Sequence, residues 1–343
     1  MRAWNVTLSM AICLAASVGW AEKVELRGTV VTWEGKVAAK AEVHLVRRTV
    51  EPWKSDLLAS TTADEQGRFY LDGVELPGPE PRTFSVEVMS WTDGYSLGWC
   101  APGAQHPANL KIELGKLGTF RGKVQDSAGK PVEGAIVGLG SLWRQLPGER
   151  FRSDYLLVPE DLGKRWAVQT DKDGGFRVPW AGENTRPSLF VAKDGYCRGN
   201  VNWKDSETEA GVVLYRSGAI RGQVRCAVAN VSVAGYRVAY MAHQMLGQTS
   251  LIRSHGPAKN VTDAQGRFAL EDVPPGQFRV YVAAEPTSEW QSGEGQDVEL
   301  AEGQTKDNVT LELKRGAKVS GRVVDADTDA PIADVALYAT GPV

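Results

Sequence analysis

The sequence predicts an all-β protein made of β-sandwich domains strung in tandem. Three observations carry this. Two short motifs recur in register along the chain, the segments between them alternate apolar and polar residues, and Gly or Pro interrupts the chain every 8 to 12 residues or so. The first motif is "LRGTV" at residues 26–30, repeated as "FRGKV" at 120–124, "IRGQV" at 220–224 and "VSGRV" at 319–323. Its glycines, Gly28, Gly122, Gly222 and Gly321, are 94, 100 and 99 residues apart. The second motif is "ADEQGRF" (63–69), "TDKDGGF" (170–176) and "TDAQGRF" (262–268). A period near one hundred residues is the size of a small sandwich domain.

The elements follow from local pattern. "VTLEL" (309–313), "LKIEL" (110–114) and "FSVEV" (84–88) alternate in hydrophobicity, the mark of half-buried antiparallel strands. No long amphipathic helix is evident. In the second motif the Asp side chain is expected to accept bonds from backbone N–H groups two or three residues on. The Gly supplies positive φ, and the Phe starts the core face of the next strand. The turn residues so assigned are Asp64, Gly67 and Phe69; Asp171, Gly174 and Phe176; and Asp263, Gly266 and Phe268. "LGKLG" (114–118), "LYRSG" (214–218) and "LKRG" (313–316) are too short for loose joints, so each domain is expected to run almost directly into the next.

The expected organisation is residues 1–21 as a signal peptide, then sandwich repeats at 22–117, 118–217 and 218–315, with 316–343 the truncated start of a fourth. That last stretch supplies about two strands, too few to bury a core. The leader has Arg2, the apolar run "VTLSMAICLAASV" (6–18) and a small-x-small cleavage site at "GWA" before Glu22. Its 13-residue apolar run is too short to span a bilayer. No later stretch is apolar enough to do so, and the mature chain is expected to be exported.

Repeat two carries an insertion at 140–166 and repeat three a shorter one at 243–259, both read as tolerated surface loops. Mature-chain cysteines Cys100, Cys197 and Cys226 are too few for a disulfide scaffold, and the sequence does not choose a pair. Asn230, Asn260 and Asn308 stand in glycan sequons, which matter only in a eukaryotic secretory pathway.

Composition excludes several functions. The 343 residues include 39 Lys and Arg against 42 Asp and Glu, a net charge of −3, with no basic block, so the footprint of a nucleic-acid binder is missing. His44, His106, His243 and His255 are scattered, without zinc spacing, and no HExxH or GxSxG motif occurs. The reading is therefore non-catalytic, with no cofactor. Calcium is disfavoured because only repeat two has two carboxylates in its turn, Asp171 and Asp173, where the other copies have Gln66 and Gln265.

Together these motifs resemble the carboxypeptidase regulatory-like domain. The resemblance rests on "RGKVQDSAGKPVEGAIV" (121–137), the Asp-Gly-Phe turns, "VPPGQFRVYV" (273–282), "KDGY" (193–196), "TDGY" (92–95) and "SGRVVDADTDAPIADVAL" (320–337). Repeat one lacks the Pro of the first turn, and repeat three lacks that turn. The resemblance implies tandem Ig-like, transthyretin-like seven-stranded β-sandwich domains in an exported protein. For function it implies only a structural, adhesive or accessory module.

Partners are then a surface protein or a polysaccharide. The sugar reading rests on tryptophans in polar surroundings: Trp53, Trp91, Trp99, Trp203 and Trp290. A flat indole is a platform for a sugar ring, although Trp also caps the open end of a sandwich. A further alternative is the N-terminal accessory region of a larger secreted hydrolase or outer-membrane receptor.

Overall fold

The structure is a computed structural model that describes residues 22–50, 53–76, 85–102, 109–145, 153–202, 209–245, 260–283, 288–317, 320–333 and 335. Residues 1–21, expected to be a signal peptide, together with Trp203, His106, His255 and parts of both insertions, lie outside the described residues. The chain forms two compact units, Met1–Asp194 with Arg198–Leu214, and Gly195–Cys197 with Tyr215–Val343.

The first unit holds two sandwiches. The first uses β1 (Glu22–Thr32), β2 (Glu42–Val50), β3 (Trp53–Thr62), β4 (Arg68–Leu76), β5 (Ser85–Trp91), β6 (Gly98–Cys100) and β7 (Leu110–Leu114). Its sheets are β4-β1-β7 and β3-β2-β5-β6. Between them lies a core that includes Val30, Val43, Leu45, Phe69, Val88 and Ile112.

The second sandwich uses β8 (Arg121–Asp126), β9 (Ile136–Gln145), β10 (Ser153–Leu157), α1 (Glu160–Arg165), β11 (Val168–Gln169), β12 (Gly175–Arg177), β13 (Thr185–Ala192), β14 (Gly199–Asn202) and β15 (Glu209–Leu214). Its sheets are β12-β8-β15 and β10-β9-β13-β14, with β11 also on β9. The second unit contains β16 (Gly218–Cys226), β17 (Arg237–Met245), β18 (Arg267–Val273), β19 (Gly276–Ala283), β20 (Trp290–Ser292), β21 (Gln296–Leu300) and β22 (Thr305–Arg315). These make sheets β18-β16-β22-β20 and β17-β19-β21 around Val238, Phe268, Phe278, Val280 and Leu311.

All three sandwiches share one rule. The first strand lies between an antiparallel strand that leaves the Asp-Gly turn and a parallel strand that ends the repeat. This explains the repeated glycine of the first motif. Gly28, Gly122 and Gly222 are the cross-strand partners of Phe69, Phe176 and Phe268. A Cβ on Gly222 would lie 1.9 Å from the Val309 carbonyl oxygen and 2.7 Å from the Phe268 ring, so the position has room only for hydrogen. The two motifs are thus halves of one contact: the Phe ring packs over the gap that the Gly leaves.

The alternation read in the sequence is present in β7 and in Val309–Leu313 of β22, whose buried residues alternate with exposed ones. It fails in β5. There Glu87, Val88, Met89 and Ser90 are all buried, because both faces of that sheet are covered. Within 320–335 the described residues show a single isolated bridge, Val324 with Pro331, closed by a turn at Asp325. The cysteines Cys100, Cys197 and Cys226 are free thiols.

Candidate functional site

The three Asp-Gly turns are built alike. Asp64 Oδ1 accepts the N–H groups of Gln66 and Arg68, at 2.9 and 2.8 Å. Asp171 accepts those of Asp173 and Gly175, and Asp263 those of Gln265 and Arg267. The bonded donors lie two and four residues on, where the sequence reading expected two and three. Gly67, Gly174 and Gly266 have φ of 72°, 74° and 77°, a region that L side chains rarely enter. Phe69, Phe176 and Phe268 are buried. The N–H of Arg68 holds the Asp64 carboxyl below the usual carboxylate range, and the N–H of Arg267 does the same for Asp263. Oδ1 of each accepts from backbone donors, and Oδ2 of Asp64 and Asp263 accepts from the Arg68 and Arg267 guanidinium groups, so the geometry suits a turn lock. Among the described residues no group of three or more His, Cys, Asp or Glu is placed to share a metal ion.

The unusual chemistry of the first unit lies where its two sandwiches meet. Val43, Leu45 and Val88 point into the first core, and their strand neighbours His44, Glu87 and Met89 point the other way. Those neighbours are buried as well, at 3, 5 and 0% exposure, and so is Trp99 at 2%. Trp166 against His44 and Arg144 over Trp99 both come from the 140–166 insertion, which was read as a surface loop. It extends β9, adds β10 and folds into α1.

Helix α1 begins after Pro159 with Glu160 and Asp161 and ends with Lys164 and Arg165, charges that complement its dipole. Gly163 brings it onto β9 so closely that a Cβ would lie 2.2 Å from the Leu139 carbonyl oxygen. The helix delivers Trp166 against His44 and Trp91, with ring centroids 5.7 and 5.6 Å apart, and pairs Arg165 with Glu42. The buried Trp180 donates its indole N–H to the Trp166 carbonyl at 3.0 Å. Farther along, Arg144 stacks 4.1 Å from the Trp99 ring, donates to the Trp99 carbonyl and pairs with Asp154 at 2.7 Å. Backbone bonds from Leu97 to the Trp180 carbonyl and from Glu183 to the Lys116 carbonyl close the seam.

His44 is the centre of a chain of hydrogen bonds across this face. Its Nε2 lies 3.1 Å from a Glu42 carboxylate oxygen and its Nδ1 2.8 Å from Ser60 Oγ. A carboxylate only accepts, so Nε2 carries the proton and the Ser60 hydroxyl donates to Nδ1. The hydroxyl–imidazole–carboxylate order resembles a nucleophile chain, but Trp166 seals the ring and Arg165 neutralises Glu42. It acts as a cross-strand clamp. Burial lowers the His44 pKa, and the Glu42 bond opposes this less strongly. Burial raises that of Glu87, whose second carboxylate oxygen has no hydrogen-bond partner and whose first lies 3.8 Å from Arg48. Burial also raises the Cys100 thiol to about 11, which keeps it protonated and inert.

The expected sugar platforms fare unevenly. Trp99 is buried under Arg144 and presents no face to solvent, because the neighbouring sandwich covers its sheet. Trp91 is half-buried, stacks on Trp166 and donates its indole N–H to the Tyr95 carbonyl. Trp290 is half-buried against the core of the second unit. Trp53 opens β3, its side chain outside the described set, and Trp203 lies outside the described residues. Among the described residues the tryptophans that face solvent, Trp33 at 48% and Trp143 at 45% exposure, were not singled out. Trp143 sits in an alternating stretch of "GSLWRQ" within the insertion, which was the available signal. An open depression of 640 Å³ lies over β4-β1-β7, lined by Arg27, Arg68, Tyr70 and Lys111, where Arg27 pairs with Glu25 and Arg68 with Asp64.

No protein-family model and no curated protein matches this chain. Among solved structures, the Bacillus anthracis TIE protein is similar over 85% of this chain and 51% of its own, at 14% identity and a TM-score of 0.22. The Streptococcal ancillary pilin is similar over 85% of this chain and 99% of its own, at 12% identity and 0.27. The minor pilin GBS52 of Streptococcus agalactiae covers 59% and 100%, at 12% identity and 0.26. This chain thus spans about half the length of the TIE protein.

Proposed function

We propose that this chain is a non-catalytic, exported spacer or adhesive protein built from carboxypeptidase regulatory-like sandwiches at 22–117, 118–217 and 218–315, with a fourth beginning at 316. One observation carries the reading: the 140–166 insertion packs onto the outer face of the first sandwich, Trp166 against His44 and Arg144 over Trp99. That segment occupies the place where a binding loop would stand and serves as mortar between domains. Two sandwiches joined through an aromatic contact resist bending at their joint, which suits holding a partner at a distance. The leader at 1–21 supports export, and no helix among the described residues is long and apolar enough to cross a membrane.

Pulling the full chain from its ends in a single-molecule force experiment tests this. The first two sandwiches should extend in one step of about 65 nm, from roughly 190 residues at about 3.5 Å each. Two separate steps of half that length would refute the joint. Surface labelling of the producing cells should find the protein outside the cytoplasm, and a purely cytoplasmic signal would refute export.

A further inference from the structure

His44 is 3% exposed, and both sandwiches of the first unit contribute to what encloses it. Within its own sandwich it meets Glu42 along β2, Ser60 across β3 and Met89 across β5. The second sandwich lays the Trp166 ring against it, 5.7 Å between centroids, and sets the Arg165 guanidinium on the other carboxylate oxygen of Glu42. The charged groups facing the imidazole are thus Glu42 from β2 and Arg165 from the end of α1, while β3 and β5 contribute a hydroxyl and a thioether. As a neutral ring His44 is fully satisfied, with Nε2 donating to Glu42 and Nδ1 accepting from Ser60. A proton added at Nδ1 turns the Ser60 bond round and places a cation in the seam. Glu42 compensates it only in part, because Arg165 already shares that carboxylate.

An imidazole changes charge between pH 5 and 8, and burying its charged form without a counter-ion of its own is costly. Parting the two sandwiches gives the imidazolium water and takes Trp166 and Arg165 away from it. We propose that His44 is a pH-sensitive latch on this seam, holding the two sandwiches together while neutral and loosening them when protonated in mild acid. The latch rests on the reading of the two sandwiches as a rigid joint. Burial, the largest influence on His44, lowers its pKa, and Arg165 acts in the same direction against Glu42. The stability that the neutral ring gives is therefore full above about pH 6.5, the value of a free imidazole, and is lost as pH falls through the lower folded value. Glu87, near Arg48 and Asp154, works in the opposite sense, since burial raises its pKa and its protonation in acid favours the buried state. A joint that loosens in acid therefore does not report Glu87.

The test pulls the full chain at about pH 7.5 and about pH 5 and counts one-step against two-step extension of the first two sandwiches. The ratio of one-step to two-step events should fall by at least about threefold in acid. His44→Gln keeps a donor for Glu42 and an acceptor for Ser60 but does not titrate, so its ratio should be the same at both pH values. Arg165→Gln frees Glu42 to face the imidazolium and should make the fall shallower. Arg165 is exposed, so this variant keeps the test valid if His44→Gln perturbs folding. In histidine NMR of the full chain, the imidazole signal of His44 should titrate below about pH 6.5. One-step extension of the parent at both pH values overturns the latch and leaves the rigid joint standing. Two-step extension at both overturns the joint and the latch together. A fall in acid that survives His44→Gln and is unchanged in Arg165→Gln overturns the proposal, as does a His44 signal that titrates at or above the free value.

Discussion

Replacing Trp166 by alanine removes the side chain that α1 wedges against His44 and Trp91. Trp166 is 7% exposed, and a buried Trp hides about 150–250 Å². At about 25 cal/mol per Å² the transfer contribution is about 4–6 kcal/mol. The Trp166 indole N–H has no hydrogen-bond partner, which offsets about 1–3 kcal/mol of this. The net loss is therefore about 3 kcal/mol, at the lower end of measured Trp→Ala costs of about 3–5 kcal/mol. For a unit of this size, that corresponds to a fall of about 6–12 °C in melting temperature. Calorimetry of the full chain reads it directly, with the second unit as an internal reference. The transition of the first unit should drop by that amount and broaden or split as the two sandwiches uncouple. Trp33→Ala, at an exposed position, should shift it by less than about 0.5 kcal/mol. A Trp166→Ala protein that melts within about 2 °C of the parent, in one sharp transition, would refute the reasoning.

Gly222→Ala should destabilise the second unit by at least about 1–3 kcal/mol, because the added methyl meets a carbonyl and an aromatic ring that cannot both retreat; urea unfolding measures this. Gly235→Ala, in open space at φ 80°, should cost only the strain of that backbone conformation, about 1 kcal/mol. For Glu87 the folded pKa lies above the unfolded value near 4.5, so the stability linked to it is full below that pH and is lost as pH rises through the folded value. Glu87→Gln should therefore raise the melting temperature at pH 7 and give no gain at pH 4. The Asp263 carboxyl is shifted the other way, so its contribution is present above about pH 4 and fades as pH falls through the lower folded value. Asp263→Ala should lower the melting temperature of the second unit at pH 7, and the difference should close as pH falls through the lowered folded value.

Much of the fold could be read from local chemistry. The turns at Asp64, Asp171 and Asp263 were legible because every bond that closes them lies within four residues. The strands at 110–114 and 309–313 were legible because one face meets a core and the other meets water. The candidate site was much less so. FSVEV showed alternation, yet the second face of its strand is buried by residues some seventy positions away. Trp99 looked exposed because its sequence neighbours are polar, while its cover, Arg144, comes from the next domain. Trp143 lay in a segment read as a surface loop, and only the strand pairing shows that its side of β9 faces solvent.

By itself the sequence determined the all-β class, the hundred-residue repeat and the turn chemistry, since glycine at positive φ and an aspartate closing its own turn are short-range effects. Only the tertiary structure decided that the glycine of one motif exists to admit the phenylalanine of the other, and that Arg144 and Trp166 of the 140–166 insertion pack onto the first sandwich. It also decided which tryptophans face solvent. The physical reason is common to all three: burial depends on what lies across a sheet, and a strand's sequence records only which residues share its face.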